Sequence, residues 1–543
     1  MINKSKGAYY TPNILSDFLI SHILENYKGL LPSNFKVLEP SVGDGRFVDS
    51  FIKKKANSFF SKFSIEIIDI AGEELEKAEK KLQKHSISFI SKRTDFLDFQ
   101  GNKYDLVIGN PPYINKKLLS KDQIEKCKKL EREEILDYGE TKNIWPAFLI
   151  KSIGLLNENG ILCFVLPAEL LQVNYTKKLR EYLLDKFERI EIFAFNELIF
   201  EDENGKKIEQ DVIVLIGAKK YDDTQGKGVS FYQVDKLSDL EIPGYTEKNS
   251  NIHRTKLDKW TNYVLEDQEL DFIQSKIDEL ELKPIKYYCE KAEVGIVTAA
   301  NKYFIISKKR EQKYNLENYT RPIISKGVFI QNKLRLLKKD IKKLEERGTP
   351  ISLLNLDGND SISNSNLKRY IKIGERAKLN QRYKMKTRKK WYSVPSIWVP
   401  EGVFLKRSHL FPRIIVNSAK ALFTDSFYRI NMKKEFKIRS LAFSFYNSLS
   451  YVMAELEGRY YGGGVLELTP NEFKESVIPY KEISNEEFKQ LESILENSPT
   501  VESILNFTDP ILLADLSDSD LKKLDLIRRK LTARRLKQRI PTS

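Results

Sequence analysis

Three features of the amino-terminal part of this 543-residue chain predict an open, doubly wound α/β sheet. Short apolar runs alternate with amphipathic helical patterns, as parallel strands covered by helices on both faces require. Acidic and glycine-bearing turns stand just after several of these runs, where such a sheet forms its ligand crevice. The last two apolar runs are joined without a helical pattern, so a seventh strand is expected to return antiparallel to the rest.

The elements follow in order. Gly7-Ala-Tyr-Tyr-Thr-Pro12 leads into an amphipathic run, Ile14 to Tyr27, with Ile14, Leu15, Phe18, Leu19, Ile23 and Leu24 at helical spacing. Thr11 suits its N-cap and Pro12 its first turn. Strands are predicted at 35–40, 65–70, 87–91, 104–110, 160–166, 189–195 and 211–217. Helices are predicted at 47–55, 73–84, 145–156 and 170–187.

The strand 104–110 ends in Asn110-Pro111-Pro112-Tyr113. Two successive prolines stop the strand and hold a rigid turn at its carboxyl end. The edge that results offers the Asn110 amide, the Pro111 carbonyl and the Tyr113 ring, a group able to hydrogen-bond a flat amino-bearing ring while stacking on it. The other strand ends supply Glu39 before Ser-Val-Gly43-Asp-Gly45, then Asp69, then Asp95-Phe96. Glycines let the first turn approach a ligand closely, an acid ending the second strand can accept both hydroxyls of a ribose, and an acid followed by an aromatic can bond and stack an adenine. Each alone is an ordinary surface feature. Together, in order, they describe a nucleoside pocket beside the Asn-Pro-Pro-Tyr edge.

Seven strands with a final antiparallel hairpin, Val37-Leu-Glu-Pro-Ser-Val-Gly-Asp-Gly45 and Ile108-Gly-Asn-Pro-Pro-Tyr113 resemble the S-adenosylmethionine-dependent DNA adenine-N6 methyltransferases of restriction-modification systems, in the order of the gamma class. The resemblance implies a seven-stranded class I methyltransferase (Rossmann-like) catalytic domain over residues 1–235. It also implies S-adenosylmethionine as cofactor, with Tyr10, Thr11 and Pro12 closing over its methionine end, Glu39, Pro40 and Gly43 beneath it, Asp69 on the ribose, Asp95 and Phe96 on the adenine, and Asn110 as a tenth cofactor contact. Asn110 and the Pro111 carbonyl would accept the N6 hydrogens of an adenine flipped from the duplex, Pro112 would hold the turn rigid, and Tyr113 would stack on the base. Phe200 stands where the family often places a second aromatic on the opposite face of the base, and it reads equally well as a core residue of the hairpin.

After Tyr221 the βα alternation gives way to Asp222-Asp-Thr-Gln-Gly-Lys-Gly228, a turn-rich boundary. Residues 236–482 are expected to form a mixed α/β target-recognition domain, and 483–543 a helical segment. Net charge is +15, and basic residues crowd the stretch from Leu367 to Arg413 with aromatics between them. Lys378, Arg382, Lys384, Arg388, Lys389, Lys390, Trp391 and Arg407 are therefore the candidate contacts to double-stranded DNA. Val294 to Phe304 and Gly458 to Pro479 also resemble the family's target-recognition region. Residues 115–142 form a charged, helical excursion after the catalytic turn, a candidate flap over substrate.

Three dispersed cysteines and four histidines make no metal pattern, so no metal is expected. Neither a signal core nor a membrane-spanning run is found, which predicts a cytoplasmic protein without membrane contact. Nothing nuclease-like stands before residue 7 or after 480, so a monomeric methyltransferase paired with a separate restriction endonuclease is expected. Two alternatives are the same chemistry on RNA or a protein glutamine, and an inactive DNA-binding module with a methyltransferase fold.

Overall fold

The computed structural model describes all residues except 1–8, 55–61, 136–140, 202–204, 224–225, 249–251, 255–259, 357–364, 462, 498, 539–540 and 542–543. Its contacts divide the chain into one unit of Met1–Glu266 with Leu536–Ile540 and another of Asp267–Arg535 with Pro541–Ser543.

The first unit is built on a sheet with nine strands among the described residues: β1 (Phe35–Glu39), β2 (Phe63–Asp69), β3 (Ser88–Arg93), β4 (Tyr104–Gly109), β5 (Leu156–Pro167), β6 (Arg189–Phe195), β7 (Val212–Ala218), β8 (Gly228–Val234) and β9 (Ile252–Arg254). Their order is β3-β2-β1-β4-β5-β7-β6-β8-β9. All seven expected strands are present. β7 is antiparallel to both neighbours, slotted between β5 and β6, as the absence of a helix in their connection predicts. The sheet then continues beyond the expected set, with β8 parallel to β6 and β9 antiparallel to β8. The boundary expected at 235 therefore falls at the end of β8, inside the first unit's sheet.

Helices α1 (Asn13–Asn26), α2 (Arg46–Lys54), α3 (Gly72–Lys84), α4 (Lys121–Glu134), α5 (Trp145–Gly154), α6 (Glu169–Gln172) and α7 (Lys177–Lys186) surround it. α1 starts one residue later than its sequence suggests. Pro12 is its N-cap, and the Thr11 side chain is buried elsewhere. The helix expected over 170–187 is split, because Val173 is extended and a 3-10 turn spans 174–176 before α7 begins. Arg180 bridges the break: buried, it donates to the Leu170 carbonyl and the Thr176 hydroxyl, both at 2.8 Å.

Leu15, Leu19 and Ile23 of α1 and Phe47 and Phe51 of α2 pack with β1 and β2 in one apolar core. Within it α1 is also tied by charge. His22 Nε2 and Glu191 Oε2 lie 2.7 Å apart, Arg189 Nη2 donates to Glu191 Oε1 at 2.8 Å, and all three are buried. Burial alone would raise the Glu191 carboxyl, but His22 and Arg189 outweigh it and hold it at about 2.

The second unit contains a five-stranded sheet in the order 289–294, 427–432, 402–405, 414–417, 335–336, and a four-stranded one in the order 305–306, 352–354, 320–324, 422–423. Helices Asn485–Glu496, Val501–Leu512 and Asp518–Leu536 close the chain, as the late helical pattern predicts, and up to Arg535 they belong to this unit. Arg535, fully buried, clasps the Glu455 carboxylate through Nε and Nη2 and donates through Nη1 to the His409 carbonyl at 2.8 Å.

Candidate functional site

The carboxyl ends of β1, β2, β3 and β4 open on one cavity of about 1030 Å³ in the first unit. Tyr10, Thr11, Glu39, Pro40, Gly43, Asp69, Asp95, Phe96, Asn110 and Pro112 all line it, so nine of the ten residues assigned to a cofactor from sequence, and part of the Asn-Pro-Pro-Tyr turn, meet at one place. Pro12 does not, since its role as N-cap of α1 turns it away.

The turn after β1 folds back because Gly43 and Gly45 have φ of +51° and +77°, which favour glycine. The Asp69 carboxylate braces it, accepting from the Gly43 amide at 2.9 Å and the Ala71 amide at 2.8 Å. Each oxygen keeps a further lone pair for a ligand hydroxyl.

Glu39 is buried, and its Oε2 is an acceptor without a hydrogen-bond partner. Burial, then the charges of Asp44 and Asp69, push its carboxyl well above the ordinary range. A buried, unsatisfied carboxyl on a cavity wall is suited to a cationic or hydrogen-donating ligand group. Asp95 accepts from the Leu97 amide at 2.9 Å and from Gln123 Nε2 at 3.1 Å. Phe96 lines the cavity but is only 2% exposed, its ring wedged against Phe148 at 5.0 Å.

The 115–142 excursion is docked at this cavity. Ser120 and Gln123 form a capping box at the start of α4, the Gln123 side chain also reaches Asp95, and Leu118, Leu119 and Gln123 line the wall. Residues 136–140 of the proposed flap lie outside the described residues.

At the end of β4 the Asn110 amide has a defined orientation. Its Nδ2 donates to the Tyr9 carbonyl at 2.7 Å and faces Thr11 Oγ1 at 3.4 Å, which only the nitrogen can do, so Oδ1 faces the other way. The single hydrogen of the Tyr113 hydroxyl is shared between that oxygen at 2.9 Å and the Val165 carbonyl at 3.0 Å. Burial, then Tyr9 and Glu169, hold the Tyr113 phenol well above its usual pKa, so it stays a donor. Pro111 is buried in the turn, and Ser41 Oγ donates to the Asn110 carbonyl at 3.2 Å, tying the turn to the loop after β1. Phe200 is buried, and the ring of Tyr9 stacks on it at 5.2 Å. Tyr9, Gln123, Ile144 and Phe148 are lining residues the sequence reading missed. Tyr9 had a signal in its place beside Tyr10-Thr11-Pro12, and Gln123 one in the Ser-x-x-Gln spacing of a capping box.

In the second unit the basic tract divides. Arg382 and Lys384 are exposed and line a cleft of about 490 Å³ with Thr298, Ala299, Asn301 and Lys302. Lys378 and Lys389 are also exposed, while Lys390 is half-buried. Arg388 is a correction to the sequence reading. Its guanidinium turns inward, donating to the carbonyls of Thr298 at 2.8 Å and Val297 at 3.2 Å over the ring of Phe304, so it braces this loop. Trp391 is half-buried against Tyr303 at 5.5 Å. Arg407 is exposed but held by Glu467 at 2.5 Å. The interleaved aromatics that marked the tract belong largely to the unit's interior: Tyr370 and Phe411 are buried, whereas Tyr383 is 83% exposed.

Among the described residues, no group of three or more His, Cys, Asp or Glu is placed to hold a metal ion, and no helix is long and apolar enough to cross a membrane.

Residues 38–200 match the Eco57I restriction-modification methylase family, and residues 257–513 match the C-terminal domain of Type II methyltransferase M.Eco57I. The chain carries both domains of an Eco57I-type restriction-modification methylase. Type II methyltransferase M.AccI of Acinetobacter calcoaceticus is 25% identical, over 95% of this chain and 94% of its own length. M.HindII of Haemophilus influenzae is 26% identical, over 55% of each protein. The fold is shared with the Type IIL restriction-modification enzyme MmeI in complex with DNA, at a TM-score of 0.55 and 14% identity, covering 98% of this chain and 74% of that one. A nuclease-deletion mutant of the Type ISP enzyme LlaGI gives 0.51 at 14% identity, over 90% and 55%. The first unit is thus a class I methyltransferase domain of the restriction-modification kind, with the site at the strand ends where that fold binds its ligands.

Proposed function

We propose that this methylase transfers a methyl group from S-adenosylmethionine to N6 of an adenine flipped out of double-stranded DNA, at a specific site, and so protects DNA from a cognate restriction endonuclease. The observation that carries the reading is the fixed Asn110 amide, whose Oδ1 faces away from the Tyr9 carbonyl beside the Pro111 turn.

The cavity suits the cofactor. The unpartnered Glu39 oxygen matches its ammonium group, the Gly43 turn admits close approach, Asp69 has lone pairs left for ribose hydroxyls, and Asp95 and Phe96 flank the place for its adenine. Tyr10, Thr11 and Pro40 complete the wall. When bound, the cofactor supplies the methyl group as an electrophile. The chain's own residues act on the target. Asn110 Oδ1 and the Pro111 carbonyl accept the two hydrogens of the exocyclic amine, which draws its lone pair out of conjugation with the ring and aims it at the cavity. No strong base is needed before attack, because the nitrogen becomes acidic once it carries the methyl group. Tyr113 orients the Asn110 oxygen through its hydroxyl, and its ring, with Phe200, flanks the base. Catalysis is then positioning and local electrostatics.

Lys378, Arg382, Lys384 and Lys389 of the second unit are the exposed cations assigned to the DNA backbone. The test is to incubate the protein with labelled S-adenosylmethionine and unmethylated DNA, RNA or protein, digest, and identify the modified residue. N6-methyladenine in DNA is expected. Label confined to RNA or protein, or no transfer at all, overturns the reading.

A further inference from the structure

Resting on the reading that Asn110, Tyr113 and Phe200 form the seat of the target base, a further residue enters the reaction. The Tyr9 ring lies 5.4 Å from that of Tyr113, tilted by 34°, and 5.2 Å from that of Phe200, tilted by 17°. One flat ring therefore touches both aromatics assigned to the base. Its own backbone carbonyl accepts from Asn110 Nδ2 at 2.7 Å. Tyr9 is partly buried against the apolar core, and burial raises its hydroxyl pKa.

We infer that Tyr9 is a placeholder for the target base: its ring fills the seat in the enzyme without DNA and swings out as the base enters. Asn110 holds the Tyr9 backbone, not its ring. Rotation about the Cα–Cβ bond can therefore vacate the seat while the catalytic amide keeps its orientation.

The exchange has a consequence for selectivity. An entering base recovers the stacking that Tyr9 gives up, so stacking alone does not favour entry. What the base gains over Tyr9 is hydrogen bonding to Asn110 Oδ1 and the Pro111 carbonyl, and that requires an amino group at the seat. A base without a well-placed amine competes with Tyr9 on stacking only. Tyr9 thus turns two non-selective aromatic walls into a comparison that an amino-bearing base wins.

The experiment uses the full chain with a duplex that keeps its target adenine and carries 2-aminopurine as the neighbouring base, whose fluorescence rises when the adenine leaves the stack. Wild type, Tyr9→Phe, Tyr9→Leu and Tyr9→Ala are mixed with it in stopped flow. Releasing two ring contacts should speed the rise about tenfold in Tyr9→Ala and Tyr9→Leu, with larger amplitude, while Tyr9→Phe follows wild type. Tyr9→Leu keeps apolar bulk, so it carries the test if Tyr9→Ala fails to fold. A slower or smaller rise in both variants, with a normal rise in wild type, overturns the placeholder: Tyr9 would then hold the base itself, and the reading of the seat would stand. No rise with any of the four proteins refutes the seat itself, and the placeholder with it.

Discussion

Replacing Glu39 by glutamine tests the cofactor cavity through two readouts that should move in opposite directions. Glu39 is 1% exposed, its Oε2 has no partner, and burial with Asp44 and Asp69 pushes its carboxyl well above the usual range. An acid whose folded pKa is raised binds its proton more tightly in the folded state. Its contribution therefore declines as pH rises from the unfolded value through the folded one, and ionised Glu39 is a burden on the ligand-free protein. Glutamine removes that charge at nearly the same volume, so the ligand-free variant should melt at the same temperature or higher at pH 8. Binding should go the other way. A hydrogen bond to a charged group is worth about 1.5–3 kcal/mol, so losing the carboxylate opposite an ammonium should weaken S-adenosylmethionine by roughly 10- to 150-fold. Calorimetric titration of the cofactor and thermal unfolding at pH 8 read the two effects. Because only the ionised carboxyl attracts the ammonium, wild-type affinity should also fall on acidification, and that fall should be absent in the variant. Unchanged affinity, or joint loss of affinity and stability, would refute the assignment of Glu39 to the cofactor.

Asn110→Ala removes the oriented acceptor and should lower single-turnover transfer by about 100-fold or more while cofactor titration stays near wild type; an active variant would sink the mechanism. Tyr113→Phe keeps the ring but leaves Asn110 Oδ1 and the Val165 carbonyl without their shared donor, for a loss of about 1 kcal/mol in stability and a roughly fivefold slower transfer at unchanged DNA affinity. Lys384→Ala with Lys389→Ala should weaken DNA binding and flatten its salt dependence by about two phosphate contacts, whereas Arg388→Ala should chiefly lower the melting temperature. Equal effects from the two would contradict the inward course of Arg388. Glu191, held at about 2, stabilises the fold above its unfolded value, and that stability is lost as pH falls toward 2. Wild type should lose about 2 kcal/mol more than Glu191→Gln between pH 5 and pH 3 in urea unfolding, although the variant is the less stable of the two at pH 5 because Arg189 and His22 lose their partner.

Features carried by neighbouring residues were legible in the sequence. The proline pair that ends β4, the glycines after β1 and the acids closing β1 and β2 each act within a few residues, and the structure brings them to one cavity. What depended on distant partners was not. β8 is not among the strands predicted after the turn-rich stretch despite its Val, Phe and Tyr content, because its partner β6 lies far earlier in the chain with a reversed strand between them. Nothing near Tyr9 announces that Asn110, 101 positions away, will donate to its carbonyl. Nor does a run of lysines and arginines tell which will meet solvent. Arg388 and Arg382 both donate to carbonyls of the 297–299 loop, yet Arg388 is half-buried against it while Arg382 stays exposed at the mouth of a cleft.

The reversed strand β7 carries a consequence of another kind. A helical crossover after β6 would have taken the chain to the opposite edge of the sheet before it returned. By running antiparallel between β5 and β6, β7 begins beside the end of β5, so Phe200 stays on the rim that holds Asn110. The connection from β6 to β7 is thereby anchored at both ends on that rim, with Ile199 and Phe200 buried in the core at its start. If the proposed seat is right, this connection sets one of its walls and two prolines at a strand end set the other.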